Sequence, residues 1–164
     1  MIRPLEPGDV AACGALLDRL ADWFGVADAN AHYLASLGRV PAFVAVADDD
    51  DRGHELIGFL ALEQRAEASA EILVMAVDPT SHRHGYGRAL VAAAQDWCDS
   101  HDMRWLFVKT RGPSTYDDLY ARTRRFYTAV GFEPLYESHA EWGPTDAALI
   151  LVQHRTCARH SADG

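Results

Sequence analysis

The heptapeptide HRHGYGR at residues 82–88 combines two glycines with two arginines and two histidines. It follows an apolar run, AEILVMAV, and it precedes a segment whose apolar residues recur at the spacing of one helical face. A strand, a glycine-containing turn and a helix N-terminus direct several backbone N–H groups and a partial positive charge to one place. Glycine lets a bulky anion approach the backbone closely. The segment therefore predicts an anion site, and pyrophosphate fits it.

Other phosphate-binding patterns match this segment poorly. A Walker-type loop requires a Lys after the glycines, and none is present here. The dinucleotide pattern G-x-G-x-x-G matches at Gly85 and Gly87, but Leu90 occupies the place of the third glycine. Lys109 and Thr110 stand where the ribose-binding acid is expected. From these residues alone, an anion site and an ordinary strand-to-helix turn both remain open.

Composition indicates a globular protein and disfavours several classes of partner. The chain has 164 residues, 49% of them hydrophobic and 24% charged, which suits one domain with a real core. A net charge of −9 opposes binding to nucleic acid, transfer RNA included. Without a membrane-spanning run or a signal-peptide pattern, we expect a cytoplasmic protein with no membrane partner. Three scattered cysteines and no Cys/His cluster predict reduced thiols and no metal site.

Hydrophobic periodicity predicts the order β-α-α-β-β-β-α-β-α-β-β. We expect an α/β domain at residues 1–156, with a mixed central sheet of about seven strands flanked by about four helices, and a disordered tail at 157–164. Asp9 is expected to cap the first helix, and DDDDRGH at 48–54 to form an acidic hairpin loop. The strands are predicted at 1–5, 41–47, 55–63, 69–77, 103–110, 132–138 and 146–154, and the helices at 9–20, at a segment ending at residue 38, at 85–101 and at 116–131.

The 82–88 segment resembles motif A of the GNAT family of N-acetyltransferases, [QR]-x-x-G-x-[GA] between a strand and a helix. Here the motif is His82-Arg83-His84-Gly85-Tyr86-Gly87, with His in place of Gln or Arg. FGVADANAHYL, AEILVMAVDP, VKTRGPS, YARTRRFYTAVGF and EWGPTDAALILV follow the order and spacing of a bacterial branch of that family.

The resemblance implies a GNAT-like fold and acetyl-CoA as co-substrate. The pyrophosphate would bind at residues 82–88, Arg88 included. The pantetheine arm would lie between the strands at 69–77 and 104–110, paired with backbone groups of Met75, Ala76 and Val77. Arg122, Arg124 and Arg125 either contact the CoA phosphates or form a solvated helix face.

Two side chains are implied as catalytic by the same resemblance. Tyr127, four residues before the Gly-Phe pair at 131–132, would protonate the CoA sulfur; the alternative is a purely packing role, with Tyr120 as the second candidate acid. Glu71 is the only ionisable residue of the apolar strand, fourteen residues before Gly85, where family members with a carboxylate base carry Glu. Asp117, Asp118, a water relay or a simply exposed Glu71 remain alternatives.

Aromatic residues are the candidates for the acceptor pocket, although each of them could equally be core. The set comprises Trp23, Phe24, Tyr33, Tyr120 and Trp142. Cys13 and Cys98 lie on apolar helix faces, so we expect core residues and no acyl-cysteine step.

The sequence thus predicts an enzyme that transfers acetyl from acetyl-CoA to a primary amine, by direct attack in a ternary complex. The acidic balance favours a small cationic molecule as acceptor. A non-catalytic acyl-CoA-binding domain and acetylation of a protein amine are the alternatives, and acyl-chain preference and homodimer formation stay open.

Overall fold

The computed structural model describes residues 1–47, 55–114, 117–143 and 145–155. The predicted hairpin loop at 48–54 and the tail at 157–164 lie outside the described residues. The helices are α1 (Val10–Arg19), α2 (Ala27–Ser36), α3 (Tyr86–Ser100) and α4 (Asp118–Ala129). The strands are β1 (Ile2–Pro4), β2 (Ala42–Val46), β3 (Leu56–Ala66), β4 (Ser69–Val77), β5 (Trp105–Arg111), β6 (Glu133–Ser138) and β7 (Ala148–His154).

The predicted architecture is confirmed within the described residues. Seven strands form one mixed sheet in the order β1-β2-β3-β4-β5-β7-β6, and four α-helices accompany it in the predicted sequence of elements. The chain groups into two compact units. The first comprises Met1–Glu63 and Ile72–Ala94, and the second comprises Gln64–Glu71 and the chain from Gln95 onward.

The first unit has a core of aliphatic side chains. β1, β2 and β3 pair antiparallel, with Val44 opposite Arg3 on one side and Phe59 on the other. Apolar residues at helical spacing place Cys13, Leu16 and Leu17 of α1 in the same buried cluster as Val44 and Phe59. Burying this face is what stabilises α1, since a ten-residue helix is marginal on its own.

The second unit contains β5, β7 and β6, and β7 pairs antiparallel with both of the others. The pairing of β5 with β7 runs from Trp105 opposite His154 to Arg111 opposite Ala148. Side chains alternate along β5, so Leu106, Val108 and Thr110 are buried on one face. Lys109 and Arg111 lie on the opposite face and are half-buried. The strand therefore presents two cations side by side.

Two local expectations differ from the structure. β3 ends at Ala66 rather than at residue 63, because it continues into a tight hairpin with β4. Asp9 precedes α1 as expected, but its carboxylate makes no capping bond to that helix. It accepts instead from the Glu6 amide at 2.8 Å and from Arg3 at 2.7 and 2.9 Å. A charged guanidinium donates a stronger hydrogen bond to a carboxylate than a backbone amide does, so the Arg3 pair is favoured over a helix cap.

Candidate functional site

The loop at residues 82–88 belongs to the first unit and has the backbone of an anion site. Arg83 and Gly85 both have positive φ, 65° and 86°. A left-handed conformation at a residue other than glycine is uncommon and is often found at binding sites. A Cβ placed on Gly85 would meet no atom within 4 Å, so the space in front of this residue is open.

The N-terminus of α3 completes this loop. The first intrahelical bond runs from the Ala89 amide to the Gly85 carbonyl at 2.9 Å. The amides of Tyr86 and Gly87 precede it, in the first turn of α3, where amides have no partner within the helix. Together with the helix dipole they favour an anion at this position. The structure therefore confirms the strand and the helix on either side of residues 82–88, and the anion site remains a prediction.

The strand before the loop is fixed by its neighbours in the first unit. The Asp78 amide donates to the Ile57 carbonyl at 2.8 Å. Asp78 also accepts from Thr80 and, at 3.1 Å, from Arg19. Met75 and Val77 are half-buried and Ala76 is buried, all on β4. A Cβ on Gly58 would lie 2.9 Å from the Ala76 carbonyl oxygen, so only glycine fits beside this strand without a shift.

Glu71 lies in the second unit and is only 5% exposed. Its Oε2 accepts from Arg65 Nε at 2.6 Å, and its Oε1 lies 3.8 Å from Lys109 Nζ. No described residue donates a hydrogen bond to Oε1. A buried carboxylate requires such cations, because an unpaired charge away from water is costly. Glu71 is therefore a buried carboxylate whose Oε2 is hydrogen-bonded by Arg65 and whose Oε1 faces Lys109 beyond hydrogen-bond distance, and not an exposed group at a strand start.

The cations of β5 connect Glu71 with the loop between β6 and β7. Lys109 Nζ lies 2.8 Å from Glu141 Oε2, and Arg111 Nη2 lies 3.1 Å from Asp146 Oδ1. These partners were missed by the sequence analysis. Lys109 and Arg111 are two residues apart on a predicted strand, so the sequence could have placed both cations on one face of it. Nothing in the sequence indicated that Arg65 pairs with Glu71.

Asp117 is the N-cap of α4 and is poorly suited to be a base. Its Oδ1 accepts from the amides of Leu119 and Tyr120 at 2.9 and 3.3 Å, and its Oδ2 pairs with Arg111 at 3.1 Å. Desolvation alone would raise its pKa, but the two amides and the guanidinium together lower the pKa below its ordinary value. A carboxylate stabilised in this way accepts a proton less readily.

Tyr127 is the one buried residue of α4 among those described. Its ring packs edge-on against Phe126 and Phe132, with centroid distances of 5.3 and 5.5 Å. Burial raises the pKa of its hydroxyl, so the group stays protonated at neutral pH. No described residue hydrogen-bonds to this hydroxyl. The side chain thus packs against two aromatic rings, and its hydroxyl is neutral and has no protein partner in the described chain.

The predicted pocket aromatics differ in their surroundings. In the first unit, Trp23, Phe24 and Tyr33 are partly buried against the core, and Phe24 and Tyr33 pack edge-on at 6.4 Å. In the second unit, the Arg111 guanidinium lies over the Tyr120 ring at 4.9 Å, which occupies one face of that ring. Trp142 is exposed.

The three arginines of α4 are not equivalent. Arg124 Nη1 donates to the Arg111 carbonyl at 2.8 Å, so this side chain is tied to the end of β5. Arg122 and Arg125 are exposed.

The cysteines, the metal-binding side chains and the membrane-spanning potential of the helices were also subjects of sequence-based predictions. Cys13 and Cys98 are fully buried, as expected for core residues. Burial raises the pKa of Cys13 to about 12, which suppresses its thiolate. Within the described ranges, no group of three or more His, Cys, Asp or Glu side chains could hold a metal ion. None of the helices in the same ranges combines the length and the apolar character that crossing a bilayer requires.

Comparison with solved structures shows the same fold in several acetyltransferases. The Escherichia coli ribosomal-protein-S18-alanine N-acetyltransferase is 20% identical, covers 100% of this chain and 99% of its own, and has a TM-score of 0.75. An aminoglycoside 6'-N-acetyltransferase complexed with coenzyme A is 17% identical, with coverages of 94% and 96% and a TM-score of 0.75. A GNAT family acetyltransferase from Elizabethkingia anophelis with acetyl-CoA bound is 16% identical, with coverages of 94% and 97% and a TM-score of 0.68.

Sequence comparison gives a more specific result. The search of curated proteins returned no match. The family model described as "Acetyltransferase (GNAT) domain" matches residues 41–134, which is more than half of the chain and includes β4, the 82–88 loop and α4. The chain therefore belongs to the GNAT family of acetyltransferases.

Proposed function

We propose that this enzyme transfers acetyl from acetyl-CoA to a primary amine of a small cationic molecule, by direct attack in a ternary complex. The observation that carries the amine assignment is Glu71, a buried carboxylate with one oxygen that no described residue hydrogen-bonds. An amine attacks only after losing a proton, since an alkylammonium has a pKa of about 10.4. Glu71 Oε1 is the atom that receives this proton.

The donor is proposed to bind at residues 82–88. Acetyl-CoA, when bound, supplies an acyl group activated as a thioester. The amides at the start of α3 and the side chains of Arg83 and Arg88 would hold its phosphates, and backbone groups of Met75, Ala76 and Val77 would hold the pantetheine arm. The open space in front of Gly85 supports this assignment.

Tyr127 is proposed to hold the proton that the leaving sulfur takes. Its hydroxyl is protonated at neutral pH and has no competing protein partner among the described residues. As the carbon–sulfur bond breaks, the sulfur takes this proton, and the nitrogen gives up its own. In all, the ammonium nitrogen loses two protons, the first to Glu71 before attack and the second as the amide forms. The second proton restores the one that Tyr127 gives to the sulfur, and the first passes from Glu71 to solvent, so the step balances.

The charge near Glu71 supports a cationic acceptor. Arg65, Lys109 and Arg111 pair with four carboxylates, those of Glu71, Asp117, Glu141 and Asp146, which leaves one negative charge in excess. The whole chain carries −9, which also attracts cations.

A CoA-release assay across an acceptor panel tests the proposal. The panel contains an aminoglycoside, a polyamine, a basic amino-acid amide and a peptide with a free N-terminus, each beside its N-acetylated form as a matched control. We expect CoA release with the small cationic amines and none with the acetylated forms. Turnover with the peptide alone would assign the enzyme to protein amines instead, and turnover with none would contradict the proposal.

A further inference from the structure

Both histidines of the 82–88 loop use one ring nitrogen to bind a backbone carbonyl. His82 Nε2 lies 2.9 Å from the Val77 oxygen, and His84 Nδ1 lies 3.0 Å from the His82 oxygen. A carbonyl only accepts, so each of these nitrogens carries a proton. In the neutral rings, His82 Nδ1 and His84 Nε2 are then lone-pair acceptors. Both side chains are exposed, and no described residue binds these two nitrogens.

These acceptor nitrogens do not suit an anion. A phosphate oxygen also accepts hydrogen bonds, so a neutral ring in this tautomer offers it no donor. Protonation turns each free nitrogen into an N–H and adds a positive charge, which gives a charge-assisted hydrogen bond. A neutral ring could offer the phosphate an N–H by changing tautomer, but it would then lose its hydrogen bond to the backbone carbonyl.

We infer that CoA binding at the 82–88 loop takes up protons onto His82 and His84, and therefore strengthens as the pH falls from 8 to 6. This rests on the proposed function, in which that loop binds the CoA phosphates. Histidine is the side chain whose charge ordinarily changes in this pH range. The sequence difference at the first motif position, His in place of Gln or Arg, thus makes donor binding depend on pH.

The other charged groups on the adjoining segments keep their charge over this range. Arg83 and Arg88 are always protonated. Asp78, at the end of β4, accepts from the Thr80 hydroxyl, which lowers the pKa of this carboxyl, and it pairs with Arg19 of α1. Among the described residues of these segments, we therefore assign the proton uptake to His82 and His84.

The test is calorimetric titration of the intact protein with 3'-dephospho-CoA at pH 7, in two buffers of different ionisation enthalpy. This probe avoids the 3'-phosphate of CoA, a phosphomonoester that itself titrates near pH 6. We expect uptake of about half a proton or more per ligand, and a Kd about tenfold lower at pH 6 than at pH 8.

Three variants and one control show whether His82 and His84 take up the proton. His82→Gln and His84→Gln should each lose part of the proton uptake, and the double variant should lose it. His101→Gln is the matched control, since its Nδ1 also lies against a carbonyl, that of Trp97 at 2.8 Å, at the far end of α3. This variant should keep the full uptake.

The outcomes separate the inference from the function on which it rests. Absence of binding at every pH contradicts the proposed function. Binding with an unchanged Kd between pH 6 and 8 and no proton uptake overturns the inference alone. Uptake that persists in the double variant overturns it as well.

Discussion

Replacing Tyr127 with Phe removes one oxygen from a buried side chain and keeps its ring. The ring contacts with Phe126 and Phe132 therefore remain. Because no described residue binds the hydroxyl, we expect the free energy of unfolding to change by less than about 1 kcal/mol. Removing the ring, as in Tyr127→Ala, should cost about 3–5 kcal/mol, so Phe is the variant that separates chemistry from packing.

The expected kinetic effect of Tyr127→Phe is much larger than its effect on stability. Loss of the proton for the leaving sulfur should lower kcat by roughly 10²-fold, about 2.7 kcal/mol, with little change in KM for acetyl-CoA. Rates should be compared with acetyl-CoA and with an aryl acetate, whose leaving group needs no proton. We expect the deficit to shrink strongly with the aryl ester.

Tyr136→Phe is the control for Tyr127→Phe, since it removes the hydroxyl of an exposed tyrosine on β6. It should leave both rates unchanged. Normal turnover of Tyr127→Phe with acetyl-CoA refutes the acid assignment and makes Tyr120 the next residue to test. An equal deficit with both donors indicates a displaced pocket rather than a lost proton.

Three other substitutions, one of them with a matched control, test the 82–88 loop, the base and an ion pair of the fold. Gly85→Glu should abolish CoA binding in calorimetry, because it places a negative side chain in the 82–88 loop. Gly38→Glu is the control, because Gly38 has a φ of 83° and a Cβ there also meets open space, so the backbone strain is similar. This variant should retain CoA binding. Equal losses of binding in the two variants would contradict the assignment of the 82–88 loop as the CoA site. Glu71→Gln should lower kcat/KM by about 10²-fold, and a normal rate would move the base to water. The Arg3 hydrogen bond lowers the pKa of Asp9, so its folded-state pKa lies below the unfolded value near 3.8 and the carboxylate stabilises the fold above that pH. Urea unfolding should show that the stability difference between the native chain and Asp9→Asn is present at pH 6 and shrinks as the pH falls below about 4, and a difference constant with pH contradicts this.

The sequence predicted the parts of the site that depend on local pattern. The 82–88 loop follows from a glycine-containing turn between a strand and a helix, and both elements are confirmed. The burial of Cys13 and Cys98 follows from helical periodicity, because each lies on an apolar stripe. Patterns of this kind need no knowledge of which elements meet in space.

The surroundings of Glu71 depend on contacts between distant segments and were not predictable. Arg65 and Lys109 come from β3 and β5 and both pair with Glu71, and Lys109 also pairs with Glu141 of the loop after β6; no local pattern predicts this network. Asp9 shows the same limit at shorter range. Its position favoured a helix cap, but Arg3 on the preceding strand competes successfully for the carboxylate.

Two-substrate initial-rate kinetics of CoA release, with acetyl-CoA and a small cationic amine varied together, tests whether the amine attacks the bound thioester directly. We expect release that requires the free amine and double-reciprocal lines that intersect, as for direct attack in a ternary complex. Parallel lines would indicate an acyl-enzyme intermediate, and release confined to peptide N-termini would indicate a protein acceptor. Either result contradicts the proposed function.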